Sequence, residues 1–189
     1  MDLLDFHFQA LKLKDLKRTG WIQRKVSNPE TVASHLWDLS LLVLMHAKSL
    51  GYNELKCLKL AIVSDLVESI TGDIATHKKF LSQKNSLKRK EFQEIKAVQK
   101  LVSKIKNLKL KKEIQLLCLD YVQKKSKEAK FVSDLDKVEV CLQALYYAKH
   151  KRTRKNLFEF FETSYSRLFT LDGFRLLEEV FAEFQKLKR

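Results

Sequence analysis

The stretch that decides the fold runs from residue 60 to residue 68 and reads Leu60-Ala61-Ile62-Val63-Ser64-Asp65-Leu66-Val67-Glu68. Its apolar residues recur at helical spacing, which predicts a helix with a buried face. Two carboxylates, those of Asp65 and Glu68, interrupt this pattern three residues apart and therefore occupy neighbouring positions on one helix face. Carboxylates in such a setting need a partner, so the stretch predicts both a helix and a candidate site.

Helical spacing continues through almost the whole chain, which contains only 4 glycines and 1 proline. We therefore expect an all-α protein, because a turn-rich β-sandwich or a glycine-rich nucleotide loop needs more of both residues. Asn28 before Pro29 predicts one helix N-cap, and Asn53 after Gly51 predicts another. The pattern predicts helices over residues 2–18, 29–50, 53–71, 86–107, 109–126, 128–150, 155–168 and 171–187, and functional loops over residues 19–28 and 72–85.

Charge and cysteine content limit the partners and the cellular compartment that we expect for the protein. The chain has 37 Lys and Arg against 23 Asp and Glu, a formal net charge of +14, which favours phosphate, nucleotide, nucleic-acid or anionic-lipid partners. No helix-turn-helix, zinc or RNA-binding motif accompanies the basic runs, so nucleic acid is not the favoured partner. Cys57, Cys118 and Cys141 are widely spaced in apolar stretches, which indicates reduced thiols. An acidic N-terminal segment and short apolar runs indicate neither a signal peptide nor a membrane partner, and we expect a cytoplasmic protein.

Two further apolar helical segments carry polar side chains. His35 lies within the apolar residues 32–37, and Asp134 and Asp136 lie within residues 131–138. Together with Asp65, these side chains could converge from three helices on a divalent cation inside a helical bundle. The alternative is structural, with a histidine satisfied inside the core and acids that face solvent. Spacing alone leaves both interpretations open.

Five segments carry a recognisable pattern in order and spacing: residues 16–22, 28–35, 60–68, 72–74 and 129–137. Together they resemble the HD-domain phosphohydrolases, and the nearest branch is that of the 5'-deoxynucleotidases. Five ordered segments are more specific than any one of them, and they lie within a motif-bearing core of about residues 5–150. The resemblance implies an HD-domain helical bundle in a single domain over residues 1–189, with a helical tail over 151–189.

The resemblance also implies roles for individual residues. In the family, a histidine, an adjacent His-Asp pair and a distal aspartate hold the metal, which implies His35, Asp65 and Asp136 as the ligands here. Glu68 and Asp73 match family acids beside the substrate and the attacking water. Their implied role is to orient or deprotonate that water.

Four residues complete or modify this implied site. Arg18 and Trp21 resemble contacts to the phosphate and to the base or sugar, although Trp21 has a core aromatic as its alternative. Ser64 stands where the family has the histidine of its His-Asp pair. A serine hydroxyl is a poorer ligand for a divalent metal than an imidazole, so we expect weakened metal binding and catalysis. His77 is a candidate substitute donor, with an exposed loop histidine as its alternative.

The function implied by the resemblance is that of a metal-dependent phosphohydrolase acting on nucleoside 5'-monophosphates, with Co²⁺, Mn²⁺ or Mg²⁺ as the divalent ion. Because of Ser64, a second hypothesis is a catalytically inactive HD-domain protein that binds a nucleotide or an anionic partner. A third is a helical protein that binds nucleic acid. We also expect a homodimer, because we expect the tail to carry more Phe and Tyr than two added helices can bury.

Overall fold

The computed structural model describes residues 2–74 and 84–187, and within these ranges the chain is helical with no strand. The all-α prediction is confirmed. A single antiparallel bridge joins Lys17 to Thr31. Numbered in chain order, the described elements are α1 (Asp2–Leu11), a 3-10 turn (Lys12–Lys14), α2 (Thr19–Gln23), α3 (Val32–His46), α4 (Glu54–Val63), α5 (Glu68–Thr71), α6 (Lys84–Val102), α7 (Leu108–Gln123), α8 (Lys127–Lys149), α9 (Phe158–Tyr165) and α10 (Leu171–Lys186).

Helix α8 forms the centre of the bundle and packs against α3, α4, α7, α9 and α10. Its buried residues lie on several faces rather than along one stripe, as expected for a helix surrounded by others. Ser126 caps its N-terminus by accepting a hydrogen bond from the Ala129 amide at 3.1 Å. The residues around Asp136 are thus fixed by the core itself.

The core consists of two clusters that meet along α3. One cluster includes Leu39, Leu60 and Leu135 and surrounds α8. The other includes Val32 and Leu101 and lies among the 3-10 turn, α5, α6 and α7. His35 lies between Val32 and Leu39 in the chain and is fully buried, so the core places this histidine where the two clusters adjoin.

The tail packs into the core of its own chain. Phe161 and Phe184 are almost completely buried, and their rings lie 4.6 Å apart. Phe161 also contacts Phe181, with ring centroids 5.4 Å apart. Helices α9 and α10 thus bury these rings against each other, whereas Phe169 and Phe174 stay about half exposed. The tail therefore offers less free aromatic surface than expected, and a dimer remains a prediction.

Helix α3 begins at Val32, and the prediction of an N-cap at Asn28 is wrong. Asn28 has a left-handed backbone with φ of +52°, and the residue before a proline disfavours the helical region. Thr31 caps the helix instead, with its hydroxyl accepting from the Ser34 amide at 3.2 Å. The Asn53 prediction is confirmed, since its side chain accepts from the Lys56 amide at 3.0 Å.

Other expected boundaries also change. The predicted helix over residues 2–18 ends at the 3-10 turn, and the predicted loop over 19–28 contains the short helix α2. The predicted helix over 53–71 is broken between α4 and α5. The three cysteines are buried and unpaired, as predicted. In the described ranges, no helix combines the length and apolar character needed to cross a bilayer.

Candidate functional site

The segment before α2 brings Arg18 beside the start of α3. The Arg18 amide donates to the Glu30 carbonyl at 3.1 Å, and the Val32 amide donates to the Leu16 carbonyl at 2.8 Å. These two hydrogen bonds hold residues 16–18 extended against residues 30–32. Arg18 Nη1 then lies 3.1 Å from Asp65 Oδ2, so the loop places a cation beside one of the expected metal ligands.

The break between α4 and α5 sets the positions of Asp65 and Glu68. The Ser64 amide donates to the Ala61 carbonyl at 3.4 Å, and the Glu68 amide donates to the Asp65 carbonyl at 2.9 Å. These bonds span three residues, as in a 3-10 turn, where residues three apart lie above one another. The tighter turn therefore directs Asp65 and Glu68 to the same side, and both line one cavity.

His35, Asp65 and Asp136 converge at the base of this cavity. His35 Nε2 lies 3.0 Å from Asp136 Oδ1 and 3.5 Å from Asp65 Oδ2. One donor atom from each of the three residues lies within 4.8 Å of the other two. The structure thus brings together the three side chains that the family resemblance implies as ligands.

The spacing of these donors fits a divalent cation. Two ligands each about 2.1 Å from one ion lie about 3.0 Å apart in octahedral and about 3.4 Å apart in tetrahedral geometry. The two distances from His35 Nε2 match this range, and an imidazole with two carboxylates is a common donor set for divalent ions. Ser64 contributes nothing to the group, because its buried hydroxyl donates to the Ala61 carbonyl at 2.9 Å.

The other ring nitrogen of His35 faces a buried acid. Glu139 Oε2 contacts His35 Nδ1, and Glu139 is fully buried one turn beyond Asp136 on α8. Glu30 lies close enough to form a second donor group with these two residues. A carboxylate on Nδ1 fixes the histidine tautomer so that Nε2 offers its lone pair to a metal, which is a usual arrangement behind metal-binding histidines.

Charge compensation accounts for the protonation states at the base of the cavity. Burial and Arg18 lower the pKa of His35, but the charge of Glu139 and the hydrogen bonds that the imidazole donates to Asp136 and Glu139 outweigh them and raise it well above its usual value. Burial raises the pKa of Asp136, whereas Lys137, His35 and Arg18 lower it to well below its ordinary range. Lys137 Nζ lies 2.7 Å from Asp136 Oδ2, so an ionised Asp136 is stabilised by cations of the chain itself.

Glu68 lines the same cavity in a different electrostatic state. Burial and the charge of Asp65 raise the pKa of Glu68 well above its ordinary value, although Arg18 opposes this effect. Glu68 Oε2 is buried, and no group within the described residues forms a hydrogen bond with it. Burial and the neighbouring carboxylate thus disfavour the charged form of Glu68, and Oε2 is left available to a molecule in the cavity.

Asp73 lines the cavity and is tied to the start of α2. Its Oδ2 accepts from the Thr19 amide, and its carbonyl accepts from the Thr19 hydroxyl at 2.8 Å. Gly72 before it has φ of +76°, a conformation that favours glycine and ends α5. His77, the candidate substitute donor, lies outside the described residues.

Trp21 is almost completely buried, at 1% exposure, although it also contributes to the cavity wall. Its Nε1 donates to Glu30 Oε1 at 2.8 Å. Its ring packs against Tyr147 at 5.2 Å and against Phe160 at 4.3 Å. Trp21 therefore holds the wall together, and its contact with a base or sugar remains a prediction.

The cavity has a volume of about 250 Å³, and sequence reasoning missed one of its walls. That wall comes from α9 and the turn after it, within the tail that carried no recognised motif. The missed lining residues include Phe160, Thr163, Ser164 and Arg167, together with Lys90 of α6 and Lys137 of α8. No spacing rule links the tail to the motif segments, whereas Glu139 follows Asp136 by the same three residues that separate Asp65 from Glu68.

Comparison with known proteins agrees with this architecture. The family model for the HD domain matches residues 10–170. The chain is 32% identical to human 5'-deoxynucleotidase HDDC2 over 181 residues, which is 96% of this chain and 85% of the human protein. It is 33% identical to 5'-deoxynucleotidase hdd1 of Schizosaccharomyces pombe over 150 residues, which is 79% of this chain and 74% of the yeast protein.

Solved structures show the same fold. A conserved hypothetical protein from Pyrococcus furiosus superposes with a TM-score of 0.72 and 31% identity, covering 94% of this chain and 98% of the other. A protein from Magnetospirillum magnetotacticum, described as a predicted metal-dependent phosphohydrolase, gives a TM-score of 0.70 at 18% identity, covering 100% and 92% of the two chains. The family match spans the motif segments and extends into the tail that forms the missed wall. This chain belongs to the HD domain family.

Proposed function

We propose that this chain is a 5'-deoxynucleotidase-like phosphohydrolase that releases phosphate from deoxynucleoside 5'-monophosphates. The observation that carries the proposal is the meeting of His35, Asp65 and Asp136 at the base of a cavity that Glu68 also lines. The similarity to proteins named 5'-deoxynucleotidases supports the substrate class.

In this proposal, His35 Nε2, one oxygen of Asp65 and one oxygen of Asp136 hold the divalent ion. When bound, such an ion polarises the phosphoryl group and lowers the pKa of water. Glu139 keeps Nε2 of His35 directed at the ion through its contact with Nδ1. Arg18 and Lys137, which touch Asp65 and Asp136, balance the negative charge that substrate and acids bring together.

Glu68 accepts the proton of the attacking water. Its Oε2 lines the cavity without a hydrogen-bond partner among the described residues, so the ionised carboxylate has an oxygen available for that proton. Asp73 holds the loop over residues 72–74 against Thr19 and presents a second carboxylate to the same space. The leaving ribose oxygen takes its proton from the acid formed at Glu68.

The experiment that tests this function measures inorganic phosphate released from each deoxynucleoside 5'-monophosphate with Co²⁺, Mn²⁺ or Mg²⁺ and with a chelator. We expect metal-dependent release that Glu68→Gln lowers by about 10²- to 10⁴-fold, the usual contribution of a general base. Glu91→Gln, an exposed glutamate on α6, is the matched control and should retain activity. Turnover that persists in chelator, or that Glu68→Gln leaves intact, would contradict the mechanism.

A second candidate function follows from Ser64 and from the cations beside the acids. The described donor group has three members, and Arg18 and Lys137 already compensate Asp65 and Asp136 without an ion. These features favour an HD-domain protein that binds a nucleotide or another phosphate ester with weak or no turnover. Calorimetric binding of a deoxynucleoside monophosphate, combined with no phosphate release under any metal, would select this function over hydrolysis.

We further propose a homodimer, formed through a surface different from the tail. Large apolar side chains are exposed on α1, α3 and α4, and Phe8, Trp37, Met45 and Ile62 are each more than half exposed. Trp37 and Ile62 line one groove together with Ala10 and Leu11 of α1. Exposed apolar surface of this kind marks an interface more often than a free monomer surface. Light scattering should give twice the chain mass of 22.2 kDa, and Trp37→Glu should shift the protein to monomer; a monomeric wild type at high concentration would overturn this.

A further inference from the structure

We propose that this chain binds single-stranded nucleic acid on a basic surface beside the cavity, with phosphates held by Lys and Arg side chains and a base stacked on Tyr146. The inference goes beyond the proposed function, because the surface lies outside the cavity and its use requires neither a metal nor hydrolysis. No nucleic-acid-binding motif marks these basic residues in the sequence, so the proposal rests on how the fold brings two segments together.

Two loops meet at the C-terminal end of α8. The first loop follows α2, and the second joins α8 to α9. The Ser27 amide donates to the Arg152 carbonyl at 2.8 Å, and the Thr153 hydroxyl donates to the Arg24 carbonyl at 2.6 Å. The Thr153 hydroxyl also accepts from the Lys155 amide at 3.1 Å. These hydrogen bonds hold the loops side by side, although 129 positions separate Arg24 from Thr153 in the chain.

The two loops carry a concentrated positive charge, which we call the basic patch. Residues 16–29 and 143–158 contain no Asp or Glu. The basic patch comprises Lys25, Lys149, Lys151, Arg152, Arg154 and Lys155, of which Arg152 is half-buried and the others are exposed. Among the described residues, no carboxylate forms an ion pair with any of these side chains. The described part of the chain therefore leaves the charge of the patch available to an anionic partner.

The backbone places two of these lysines at positions that favour other residues. Lys25 and Lys151 both have φ of +53°, in the left-handed region where glycine or asparagine is less strained. Because both side chains are exposed, they contribute little packing in return for this strain. Strained residues are concentrated at functional sites, which agrees with a binding role for the two charges.

Tyr146 adds an aromatic surface at the edge of the basic patch. Its side chain is 47% exposed, and its ring lies 4.4 Å from that of His150, which is also exposed. An exposed ring beside unpaired cations is the combination that binds single strands, because the cations hold the phosphates and the ring stacks with a base. A duplex keeps its base faces inside the stack, so the ring favours a single strand as the partner.

The basic patch adjoins the wall of the cavity. Gln23 and Arg24 line the cavity, and Lys25 follows them directly. Arg24 is paired with Glu159, and Glu159 and Glu162 of α9 line the same cavity. The acids on this side thus belong to the cavity wall, whereas the loops beyond it carry only cations. We therefore expect a nucleic-acid strand to lie on the loops and not inside the cavity.

The test measures binding of a fluorescently labelled oligodeoxythymidylate by anisotropy in the presence of EDTA. The strand has about 20 nucleotides, more than the roughly 4–16 that one single-strand-binding domain covers. It ends in a 5'-hydroxyl, so that no terminal phosphate enters the cavity. The triple variant Lys149→Glu, Arg154→Glu, Lys155→Glu should weaken binding about 10-fold or more. It should also reduce the slope of log affinity against log salt by about 2, because each phosphate contact of a single strand contributes about 0.7.

The matched control places the same charge change at the other end of α8, in the triple variant Lys48→Glu, Lys125→Glu, Lys130→Glu. Lys125 and Lys130 lie on either side of the start of α8, and all three control residues are exposed. Lys48 precedes Gly51, whose carbonyl lies 3.4 Å from Lys127 Nζ at that same end. The length of α8 separates the control from the basic patch by about 30 Å. At that distance the charges are screened, so affinity should stay within about 3-fold of the wild type.

Tyr146 variants separate stacking from charge. Tyr146→Ala should weaken the oligonucleotide about 10-fold, the loss expected for one stacked base. It should leave binding of inorganic polyphosphate unchanged, because this polyanion has no bases. Tyr146→Phe keeps the ring and should bind the oligonucleotide like the wild type, whereas the triple variant of the patch should weaken both ligands.

The contrary results are equally specific. If the wild type does not bind the oligonucleotide, or if the patch triple and the control triple bind it equally well, the patch is not a nucleic-acid site. Equal effects of Tyr146→Ala on oligonucleotide and polyphosphate would overturn the contact with a base and the preference for a single strand. Capture of the wild type by phosphatidylserine vesicles, without binding of the oligonucleotide, would assign the patch to a membrane surface and overturn the proposal.

The design keeps this proposal apart from the proposed function. Metal-free protein and a strand without a 5'-phosphate exclude hydrolysis from the measurement, so a negative result leaves phosphate release from nucleotides to be decided by its own assay. A protein that binds the strand but hydrolyses no nucleotide would support the patch and contradict the hydrolase. If the Glu triple does not fold, the corresponding Gln triple is judged by the same comparison.

Discussion

Glu30 gives a quantitative test of how the buried acids around His35 are arranged. Burial and the charge of Glu139 raise the pKa of Glu30 to about 7, from 4.5 in an ordinary glutamate. Glu30→Gln removes this charge while keeping an oxygen that can accept the bond from Trp21 Nε1. The variant should therefore preserve the packing and change only the dependence of stability on pH.

The sign and size follow from linkage. A carboxyl whose pKa is higher in the folded state contributes stability that is fully present below pH 4.5 and is lost as the pH rises through 7. Between pH 5.5 and pH 8 this loss amounts to about 2 kcal/mol for the pKa values of Glu30. In a chain of this length, that corresponds to about 4–8 °C in Tm.

The measurement is urea or thermal unfolding of metal-free wild type and Glu30→Gln at both pH values. The free energy of unfolding of Glu30→Gln relative to wild type should rise by about 2 kcal/mol from pH 5.5 to pH 8. Glu179→Gln, an exposed glutamate on α10, should show no such change. If the difference between wild type and Glu30→Gln is the same at both pH values, Glu30 is not held protonated beside Glu139 and the electrostatic description of this region is wrong.

Three further predictions concern the ligand group and the core. Ser64→His should raise the affinity for Mn²⁺ and Co²⁺ at least about 10-fold by calorimetry. Ser64→Ala is the control and should leave the affinity unchanged, because the hydroxyl that it removes donates to the Ala61 carbonyl. Equal affinity of Ser64→His and wild type would mean that residue 64 does not face the ion. Glu139→Gln should lower metal affinity about 10- to 100-fold, because His35 loses the carboxylate on Nδ1, and unchanged affinity would remove that role. Phe161→Ala should cost about 3–5 kcal/mol in denaturant unfolding, because the ring is fully buried; a loss below about 1 kcal/mol would show that the tail is not part of the core.

The sequence predicted the long helices and the meeting of His35, Asp65 and Asp136, because both depend on local patterns, whereas the role of these residues as metal ligands stays a prediction. The apolar spacing marks each long helix, and the ordered motif segments place His35, Asp65 and Asp136 together. The helix boundaries that were predicted wrongly depend on contacts between segments distant in the chain. Residues 29–31 are held extended by residues 16–18 rather than continuing α3, and the turn after Val63 replaces a regular helix.

The missing parts of the site depend on contacts distant in the chain. Arg167 and Phe160 reach the cavity because the tail folds back on α8. Nothing in the sequence distinguishes these two residues from the other charged and aromatic residues of the tail. Asp134 looked like a partner of Asp136, but it is turned toward Thr170. The sequence alone could have indicated Glu139, because this acid follows Asp136 by three residues in an apolar segment, as Glu68 follows Asp65.

The central position of α8 gives the cavity one rigid wall and one soft wall. Amides around Asp136 belong to the most buried helix of the bundle and should exchange with solvent only when the whole domain unfolds. The opposite wall is made of the extended residues 16–18 and the four-residue helix α5, whose few hydrogen bonds can open locally at much lower free energy. We therefore expect a ligand that needs more room than the cavity offers to displace the side of Arg18 and Glu68 rather than the side of Asp136.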